Sequence, residues 1–308
     1  MISKIIAIQG NHPSKLNPIT DTSVFLANEI QNRKYKVFYY DPKNLSILNS
    51  KVIAKGFFIR FDYDKKKFFK IKKRQTLELT KCKFILIRQD PPFNLEYVST
   101  TYILDCIKNK VKIINNPTSI RNISEKLYSA KYQRFMPSTI FTQDLNEIKN
   151  FIKKHKKIIL KPIHSYSGND IHLLKSFNLR LIKTFIKKHN HIMCQKFLPN
   201  ISKGDKRVFI INGKVCGAIS RVPKKGSFLS NMSKGAKAIS ITLTNRENKI
   251  SKLIARDLKK ENIFFAGIDF IDQKINGDIN VTSPTGLKTL YDLSGINLAK
   301  TFWKELKA

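Results

Sequence analysis

The chain has 308 residues, of which 42% are hydrophobic, so it can fold around a sizeable core and disorder is not expected. Basic residues outnumber acidic ones by 58 to 22, which gives a formal net charge of +36. The longest apolar runs are strand-sized, which excludes a membrane span, and no signal peptide is evident, so a cytoplasmic protein is expected. Four scattered cysteines without a C-x-x-C pair argue against zinc ribbons and disulfide scaffolds.

The excess of positive charge suggests a nucleic-acid partner, but the predominance of lysine over arginine argues against one. The chain has 47 lysines and 11 arginines, whereas forked recognition of phosphates and bases favours arginine. The lysines lie in short, surface-like runs such as 64–74 and 153–157. We interpret them as compositional drift towards A- and T-rich codons, and a polyanion-binding surface is the alternative. A nucleic-acid partner is therefore not expected.

Up to about residue 117, strand and helix patterns alternate along the chain. Asp21 or Thr22 can cap the first of the helices. The predicted segments are, in order, a strand at 4–10, a helix at 21–33, strands at 36–42 and 83–93, a helix near 97–109 and a strand at 112–117. Alternation of this kind predicts a parallel sheet with helices on its faces.

After residue 117 the pattern changes to helices and antiparallel strand pairs. Asn212 and Gly213 form the strongest short hairpin signal, in the middle of the first strand pair. The predicted segments are helices at 119–132 and 146–155, strand, polar loop and strand at 157–175, a helix near 178–189, a hairpin at 205–223, a helix at 251–262, a strand pair at 264–284 and an amphipathic helix at 294–307. This order predicts antiparallel strand pairs with helices between them.

Polar side chains cluster on the last predicted strand pair. Asp278 and Asn280 point to the same face, because residues i and i+2 of a strand share a face. Asp269 lies opposite Asp278 if the turn is centred near 272–274, whereas a turn at Asn276-Gly277 would separate them. Carboxylate and amide oxygens, without sulfur or imidazole, are ligands typical of Mg²⁺. The alternatives are a magnesium site and a solvated hairpin with polar edges.

Two lysines could bind phosphate beside such a metal. Lys161 ends an apolar run in a predicted buried strand, where its charge needs an anionic partner. Lys126 lies on a predicted helix, where taken alone it would be a surface lysine. The loop HSYSGND (164–170) could bind phosphate through backbone N–H groups, although Gly168 is its only glycine. The usual Gly-rich nucleotide motifs, H-E-x-x-H and G-x-S-x-G are absent from the sequence.

Eight short segments, among them RQDPPF (88–93), GDKRVFIINGKV (204–215) and INVTSPTG (279–286), follow one another in a fixed order. Together they resemble the bacterial glutathione synthetases, which belong to the ATP-grasp ligases. The similarity runs from about residue 21 to about residue 297. The segments that carry it are RQDPPF (88–93), TYIL (101–104), SEKLYS (124–129), ILKP (159–162), GDKRVFIINGKV (204–215), SRVP (220–223), INVTSPTG (279–286) and SGIN (294–297). The combination of DPPF, GDKRV and NVTSPT is specific to that family.

The resemblance implies both a fold and a reaction. The fold is an α/β pre-ATP-grasp domain that binds γ-glutamylcysteine (1–122), followed by an α+β ATP-grasp domain (123–308). In the second domain, a small lobe (about 123–198) and a large lobe (about 199–308), each with an antiparallel sheet, would grip ATP. The reaction joins γ-glutamylcysteine to glycine at the expense of ATP, and releases glutathione, ADP and phosphate. The alternatives are another ATP-grasp carboxylate–amine ligase and a decayed remnant with a basic, polyanion-binding surface.

The resemblance also implies roles for individual residues, and a homo-oligomer such as a tetramer. The residues that would bind ATP are Lys126, Lys161, Gly168, Gln195, Lys196, Phe197, Leu198 and Asp205. Those that would hold Mg²⁺, with Mn²⁺ as a substitute, are Asp269, Asp278 and Asn280. Those that would contact the substrate are Arg88, Asp90, Ser283 and Thr285. Arg207 and Arg221 would be catalytic, through contacts with the substrate and the transition state.

Three segments depart from the family pattern. Asp278 stands where the family has a glutamate, with one more residue in the preceding turn. The loop at 164–170 lacks the expected glycines. The lid segment KKGSFLSNMSKGAK (224–237) carries Leu229 where an arginine is expected and Ala236 in place of a glycine. We expect the activity to persist at a reduced rate, with decay to an inactive remnant as the alternative.

Overall fold

The computed structural model describes residues 4–62 and 67–308, so the start of the lysine run at 64–74 lies outside the described residues. These residues form three β-sheets covered by helices. The strands are β1 (Ile5–Gln9), β2 (Lys36–Tyr40), β3 (Leu45–Leu48), β4 (Lys51–Phe61), β5 (Phe69–Glu78), β6 (Phe84–Ile87), β7 (Lys112–Ile114), β8 (Thr139–Thr142), β9 (Ile158–Pro162), β10 (His172–Leu174), β11 (Ile192–Lys196), β12 (Asp205–Ile211), β13 (Lys214–Val222), β14 (Lys237–Ser240), β15 (Phe265–Ile271) and β16 (Lys274–Asn280). The α-helices are α1 (Thr22–Asn32), α2 (Leu95–Asp105), α3 (Pro117–Asn122), α4 (Leu145–His155), α5 (Leu179–His189), α6 (Asn245–Lys260), α7 (Leu287–Ser294) and α8 (Leu298–Glu305).

The first sheet has the order β3-β4-β2-β1-β6-β7, with β5 paired to β4. Its centre is parallel as predicted, because β1 pairs in parallel with β2 and β6, and β6 with β7. The β4 strand runs antiparallel to its partners β2, β3 and β5. Helix α1 begins where the sequence predicts, since Oδ1 of Asp21 accepts a hydrogen bond from the Val24 N–H at 2.9 Å.

The other two sheets are antiparallel, as an α+β second half requires. The small-lobe sheet has the order β10-β9-β11-β8, and the large-lobe sheet β14-β13-β12-β15-β16. The β12–β13 hairpin turns at Asn212-Gly213, where both residues have positive φ (50° and 75°), as a two-residue hairpin turn demands. The prediction for this hairpin is confirmed.

The hydrophobic cores do not follow the order of the segments along the chain, because one core joins the first sheet to the large lobe and the C-terminal helix. Buried side chains of the first sheet, such as Ile6 and Leu86, share one core with Phe209 of the large lobe and with Phe302 and Trp303 of α8. The indole Nε1 of Trp303 donates to the Leu26 carbonyl at 2.9 Å. The small lobe instead closes its own core beneath the apolar faces of α4 and α5. The predicted domain division at residue 122 stays a prediction.

Several predicted helices differ in their bounds from the observed ones; α6, for example, begins at Asn245 instead of 251, because Thr244 caps it there. The stretch at 119–132 is interrupted, because α3 ends at Asn122 and a 3-10 segment begins only at Leu127. Lys126 therefore precedes that segment and does not lie on a helix. The adjacent Glu125 is hydrogen-bonded to residues 279–282, which holds this connection outside a helix. The C-terminal helix α8 starts at Leu298 instead of 294, because Gly295 has a φ of +72° and ends α7.

In residues 4–62 and 67–308, no helix combines the length and the apolar character needed to cross a bilayer.

Candidate active site

A cleft of about 690 Å³ opens between the small lobe, the large lobe and loops of the first domain. All the site residues predicted from the sequence line this cleft, except Arg88. Its charged lining residues are balanced in number, with six basic and six acidic side chains: Lys15, Lys126, Lys161, Lys196, Arg207, Arg221, Asp21, Asp90, Glu125, Asp205, Asp269 and Asp278. The excess of positive charge in the chain therefore lies elsewhere.

The last hairpin brings the three predicted metal ligands together. Its turn is Asp272-Gln273, which is the arrangement that places Asp269 and Asp278 on facing strands. Between the pairs Ile268–Ile279 and Phe270–Ile275, residues 276–278 bulge opposite Asp269 alone. The extra residue that the sequence indicates is thus accommodated in a bulge rather than in the turn. The Asn280 amide nitrogen lies 3.4 Å from Oδ2 of Asp269, so the three side chains are neighbours.

Two buried lysines converge on the Asp278 carboxylate. The Nζ atoms of Lys126 and Lys161 lie 3.4 Å and 3.6 Å from its two oxygens. Lys161 Nζ also donates to the backbone oxygen of Asn276 at 2.6 Å, and Lys126 Nζ to that of Ser165 at 2.8 Å. Burial lowers the pKa of the Lys161 ammonium group, and the charge of Asp278 partly offsets this shift. Both lysines are less than a tenth exposed, so each needs an anion nearby.

Four charged residues form a buried network on the large-lobe sheet. Strand register places Asp205 opposite Arg221 and Arg207 opposite Asp269. Arg221 forms two hydrogen bonds to Asp205, at 2.7 and 2.6 Å, and Arg207 two to Asp269, at 2.6 and 2.8 Å. Arg221 also lies 3.0 Å from Asp269 and links the two pairs. Burial opposes ionisation of Asp269, but the two guanidinium groups outweigh it and hold the pKa of this carboxyl well below its usual range.

The oxygen ligands fit a hard divalent cation. Among the described residues, no group of three or more His, Cys, Asp or Glu side chains could hold a metal ion. The set on the last hairpin therefore needs the amide oxygen of Asn280 beside the carboxylates of Asp269 and Asp278. Two carboxylates and one amide, with room left for phosphate oxygens and water, form the donor set that Mg²⁺ accepts.

The predicted ATP-binding residues at 195–198 lie at the end of the small-lobe strand β11 and directly beyond it. Gln195 is buried, and its amide donates to the Thr139 hydroxyl at 3.1 Å. The backbone N–H groups of Lys196 and Phe197 donate to Ser138 and Lys157, at 2.9 and 3.1 Å. These bonds hold the 195–198 segment along the wall of the cleft, with the side chains of Phe197 and Leu198 half-buried.

The loop at 164–170 and the lid at 224–237 contact each other across the cleft mouth. Gly168 has a φ of +71°, and a Cβ atom there would overlap Oδ1 of Asn231. The side chain of Leu229 would lie 3.6 Å from the same Cβ atom, and it lines the cleft together with Phe228. Ala236, which replaces an expected glycine, is buried. The lid thus presents apolar side chains where the family pattern predicts a guanidinium group.

The predicted substrate residues also line the cleft, with one exception. Asp90 accepts a hydrogen bond from Asn11 at 2.9 Å, and Ser283 donates to the Arg88 carbonyl at 3.4 Å. Thr285 also lines the cleft. The Arg88 side chain lies behind the wall, bound to the Ser23 hydroxyl at 3.1 Å and 5.9 Å from the Phe265 ring. Its Nη1 atom is buried without a partner among the described residues.

Sequence reasoning missed several residues of the site. Asn11 and Asp21 line it from the loops of the first domain, and Glu125 lies beside Lys126. Asn115 stands behind the wall, hydrogen-bonded to the strands that carry the metal ligands. Only the position of Glu125 next to a predicted phosphate ligand could have drawn attention to it, because its partners lie about 155 positions along the chain.

Comparison with known proteins settles the family. Residues 5–121 match the N-terminal domain of prokaryotic glutathione synthetase, and residues 125–295 match the ATP-grasp domain of the same enzyme. The chain belongs to the prokaryotic glutathione synthetase family. It is 36% identical over 293 residues to the glutathione synthetase of Buchnera aphidicola, which covers 93% of this chain and 90% of that protein. It is 33% identical over 302 residues to that of Mesorhizobium japonicum, covering 97% and 96%.

Solved structures agree with this family at the level of fold. An ATP-grasp ligase, PsnB, complexed with a minimal precursor, superposes with a TM-score of 0.66 at 13% identity and covers 99% of this chain and 98% of its own. D-alanyl-alanine synthetase A from Vibrio cholerae superposes with a TM-score of 0.65 at 14% identity, covering 100% and 98%. The prediction of an α/β domain followed by an ATP-grasp fold is confirmed.

Proposed function

We propose that the cleft joins γ-glutamylcysteine to glycine at the expense of ATP and releases glutathione, ADP and phosphate. The chain is an ATP-dependent ligase of the glutathione synthetase family, whose relatives carry that name. The convergence of Lys126 and Lys161 on Asp278, beside Asp269 and Asn280, carries the proposal. Such a group of charges suits the phosphates of a nucleotide held between two lobes.

The first chemical step brings two anions together. The carboxylate of the cysteine residue of γ-glutamylcysteine attacks the γ-phosphorus of ATP, forms an acyl phosphate and releases ADP. Lys126 and Lys161 would offset the repulsion between carboxylate and phosphate, because buried charges act strongly in a site that excludes water. Asp269, Asp278 and Asn280 would hold Mg²⁺, or Mn²⁺ in its place, which supplies further positive charge to the phosphate oxygens.

In the second step, the glycine amine attacks the acyl phosphate. The tetrahedral intermediate carries an oxyanion, and loss of phosphate and a proton then leaves the new amide bond. Arg207 and Arg221 would stabilise that oxyanion. Their orientation is fixed by Asp269 and Asp205, so little reorganisation is needed during the reaction. The lid would exclude water, which otherwise hydrolyses the acyl phosphate.

The thiol of the dipeptide takes no part in these steps, and no cysteine of the chain is required. No described cysteine lines the cleft. Burial raises the pKa of both the Cys82 and the Cys194 thiol to about 12, so neither is a nucleophile near neutral pH. Asp90, Ser283 and Thr285 would instead contact the peptide backbone and charged ends of γ-glutamylcysteine.

A coupled assay for ADP release from the purified protein tests the function. ADP should form only with both γ-glutamylcysteine and glycine, and mass spectrometry should identify glutathione as the product. Turnover with a different amine would point to another ATP-grasp carboxylate–amine ligase. No turnover with any amine would point to a decayed remnant.

We further propose that the partners are small molecules and that the chain works in the cytoplasm as a homo-oligomer, such as a tetramer. The balanced charge of the cleft supports small-molecule partners over nucleic acid. Sedimentation of the purified protein tests the oligomeric state. An affinity for DNA or RNA that falls steeply with salt would contradict the absence of a nucleic-acid partner.

A further inference from the structure

One carboxylate oxygen holds the segment that joins the metal ligands to the substrate loop. Oε1 of Glu125 accepts hydrogen bonds from the backbone N–H of Val281 at 2.8 Å, from that of Thr282 at 3.0 Å and from the Thr282 hydroxyl at 2.9 Å. The Glu125 carbonyl also accepts from the Ile279 N–H at 3.0 Å. The segment 279–282 is thereby bound to the short connection that precedes Lys126.

The same segment is held from its other side by the first domain. The Asn115 amide donates to the carbonyl of Val281 at 2.6 Å and to that of Phe265 at 2.7 Å. Its oxygen accepts from the N–H groups of Phe264 and Phe265, at 2.9 and 2.8 Å. Asn115 is buried and uses its full hydrogen-bonding capacity. Both faces of the Val281 backbone are thus fixed, the N–H by Glu125 and the C=O by Asn115.

The position of this segment matters for two groups at once. Asn280, a proposed metal ligand, precedes Val281, and Ser283, a proposed substrate contact, follows Thr282. Glu125 itself precedes Lys126, whose ammonium group lies 3.4 Å from Asp278. A shift of Glu125 would therefore displace a phosphate ligand and a substrate contact relative to each other. Misplacement of reacting groups by about 1 Å can cost a hundredfold in rate.

We propose that Glu125 is a positioning residue for the ligase reaction, and this inference rests on the function proposed above. It acts through Val281 and Thr282, with Asn115 as the opposing hold, and sets the distance between the nucleotide phosphates and the attacking carboxylate. Its contribution is to the geometry of the bound substrates rather than to the binding of ATP. The acceptor oxygen, not the negative charge, is what the segment requires.

Three variants separate positioning from a structural role. Glu125→Ala removes the acceptor, and kcat should fall about a hundredfold while the KM for ATP changes less than about threefold. Glu125→Gln keeps an oxygen acceptor and should restore most of the lost kcat. Asp144→Ala is the matched control, because Asp144 likewise accepts two backbone hydrogen bonds, at 2.8 Å, but caps α4 outside the cleft wall. It should leave kcat unchanged.

Hydrogen exchange makes the test independent of turnover. The amides of Val281 and Thr282 should exchange slowly in the unmodified protein and in Glu125→Gln, and rapidly in Glu125→Ala. Equal loss of kcat in the Gln and Ala variants, or slow exchange of both amides in Glu125→Ala, would overturn the inference. A protein without any glutathione synthesis but with this exchange pattern would instead refute the proposed function alone.

Discussion

The two ends of the nucleotide cleft are built in different ways. At the large-lobe end, strand register pairs each charged side chain with a partner, as in Asp205 with Arg221 and Arg207 with Asp269. At the mouth, the loop at 164–170 meets the lid at 224–237 through Gly168, Asn231 and apolar side chains. Strand pairing sets the distances between the charged side chains of the sheet, whereas the two loops only pack against each other and set no such distances.

This difference explains where the sequence tolerates change. At the sheet end Asp278 stands where the resemblance implies the longer glutamate, yet the bulge at 276–278 leaves its oxygens 3.4 and 3.6 Å from the Nζ atoms of two lysines. At the mouth, Leu229 and Ala236 are accommodated by packing alone. We therefore expect the largest losses from changes at the sheet end and the smallest effects from changes in the lid.

The largest effect is expected where the two lysines meet. Asp278→Ala and Lys161→Ala should each lower the ADP release that depends on γ-glutamylcysteine and glycine by at least about a hundredfold, because each removes preorganised charge beside the phosphates. Lys183→Ala, which removes an exposed lysine of α5, is the control and should be silent. Unchanged turnover in either site variant would refute the assignment of this end of the cleft.

A loss of stability is expected in the arginine network. Asp269→Asn takes the carboxylate partner from the buried guanidinium group of Arg207 and leaves Arg221 with Asp205 alone, and should lower the free energy of unfolding at pH 7 by about 3 kcal/mol or more. Because the pKa of Asp269 is depressed in the folded state, its contribution is complete above the ordinary value of about 4 and is lost as the pH falls below it. Urea unfolding between pH 7 and pH 3 should show this component in the unmodified protein only. An equal acid dependence in both proteins would contradict it.

A smaller effect is expected at the contact between loop and lid. Gly168→Ala introduces a Cβ that would overlap Oδ1 of Asn231, so the loop must move away from the lid. The KM for ATP should rise by about tenfold, beyond the effect of the backbone strain of about 1–2 kcal/mol that a φ of +71° costs an L-residue. Gly226→Ala is a matched control, because its φ is +83° but nothing lies within 4 Å of the added Cβ. Equal effects of the two substitutions would mean that strain, not the contact with the lid, is responsible.

The smallest effect is expected from restoring the missing guanidinium group. Leu229→Arg should raise kcat/KM by less than about tenfold, because a charge on a loop is poorly preorganised compared with one on a strand. Leu229→Met, which changes shape without adding charge, should leave kcat/KM unaltered. A gain in both variants would attribute the improvement to packing of the lid.

Much of the cleft follows from local sequence, and the rest depends on contacts between distant segments. Predicting that Asp269 faces Asp278 required only the strand period and the choice between two turns. The Asn212-Gly213 pair directly indicated the turn of the β12–β13 hairpin. The local pattern around Lys126 predicts a helix, whereas hydrogen bonds between Glu125 and residues 279–282 hold this stretch outside one. No local pattern could reveal that bond, nor the rotation of Arg88 towards Ser23.

The C-terminal helix has a consequence for how the protein is made. Phe302, Trp303 and Leu306 belong to the same core as Ile6 and Leu26. The strands and helices synthesised early can therefore complete this core only after residues 302–306 have been synthesised. The small lobe, with a core of its own, can close while translation continues. During synthesis the early sheet therefore exposes an apolar face, and chaperone demand should depend on the time taken to reach α8.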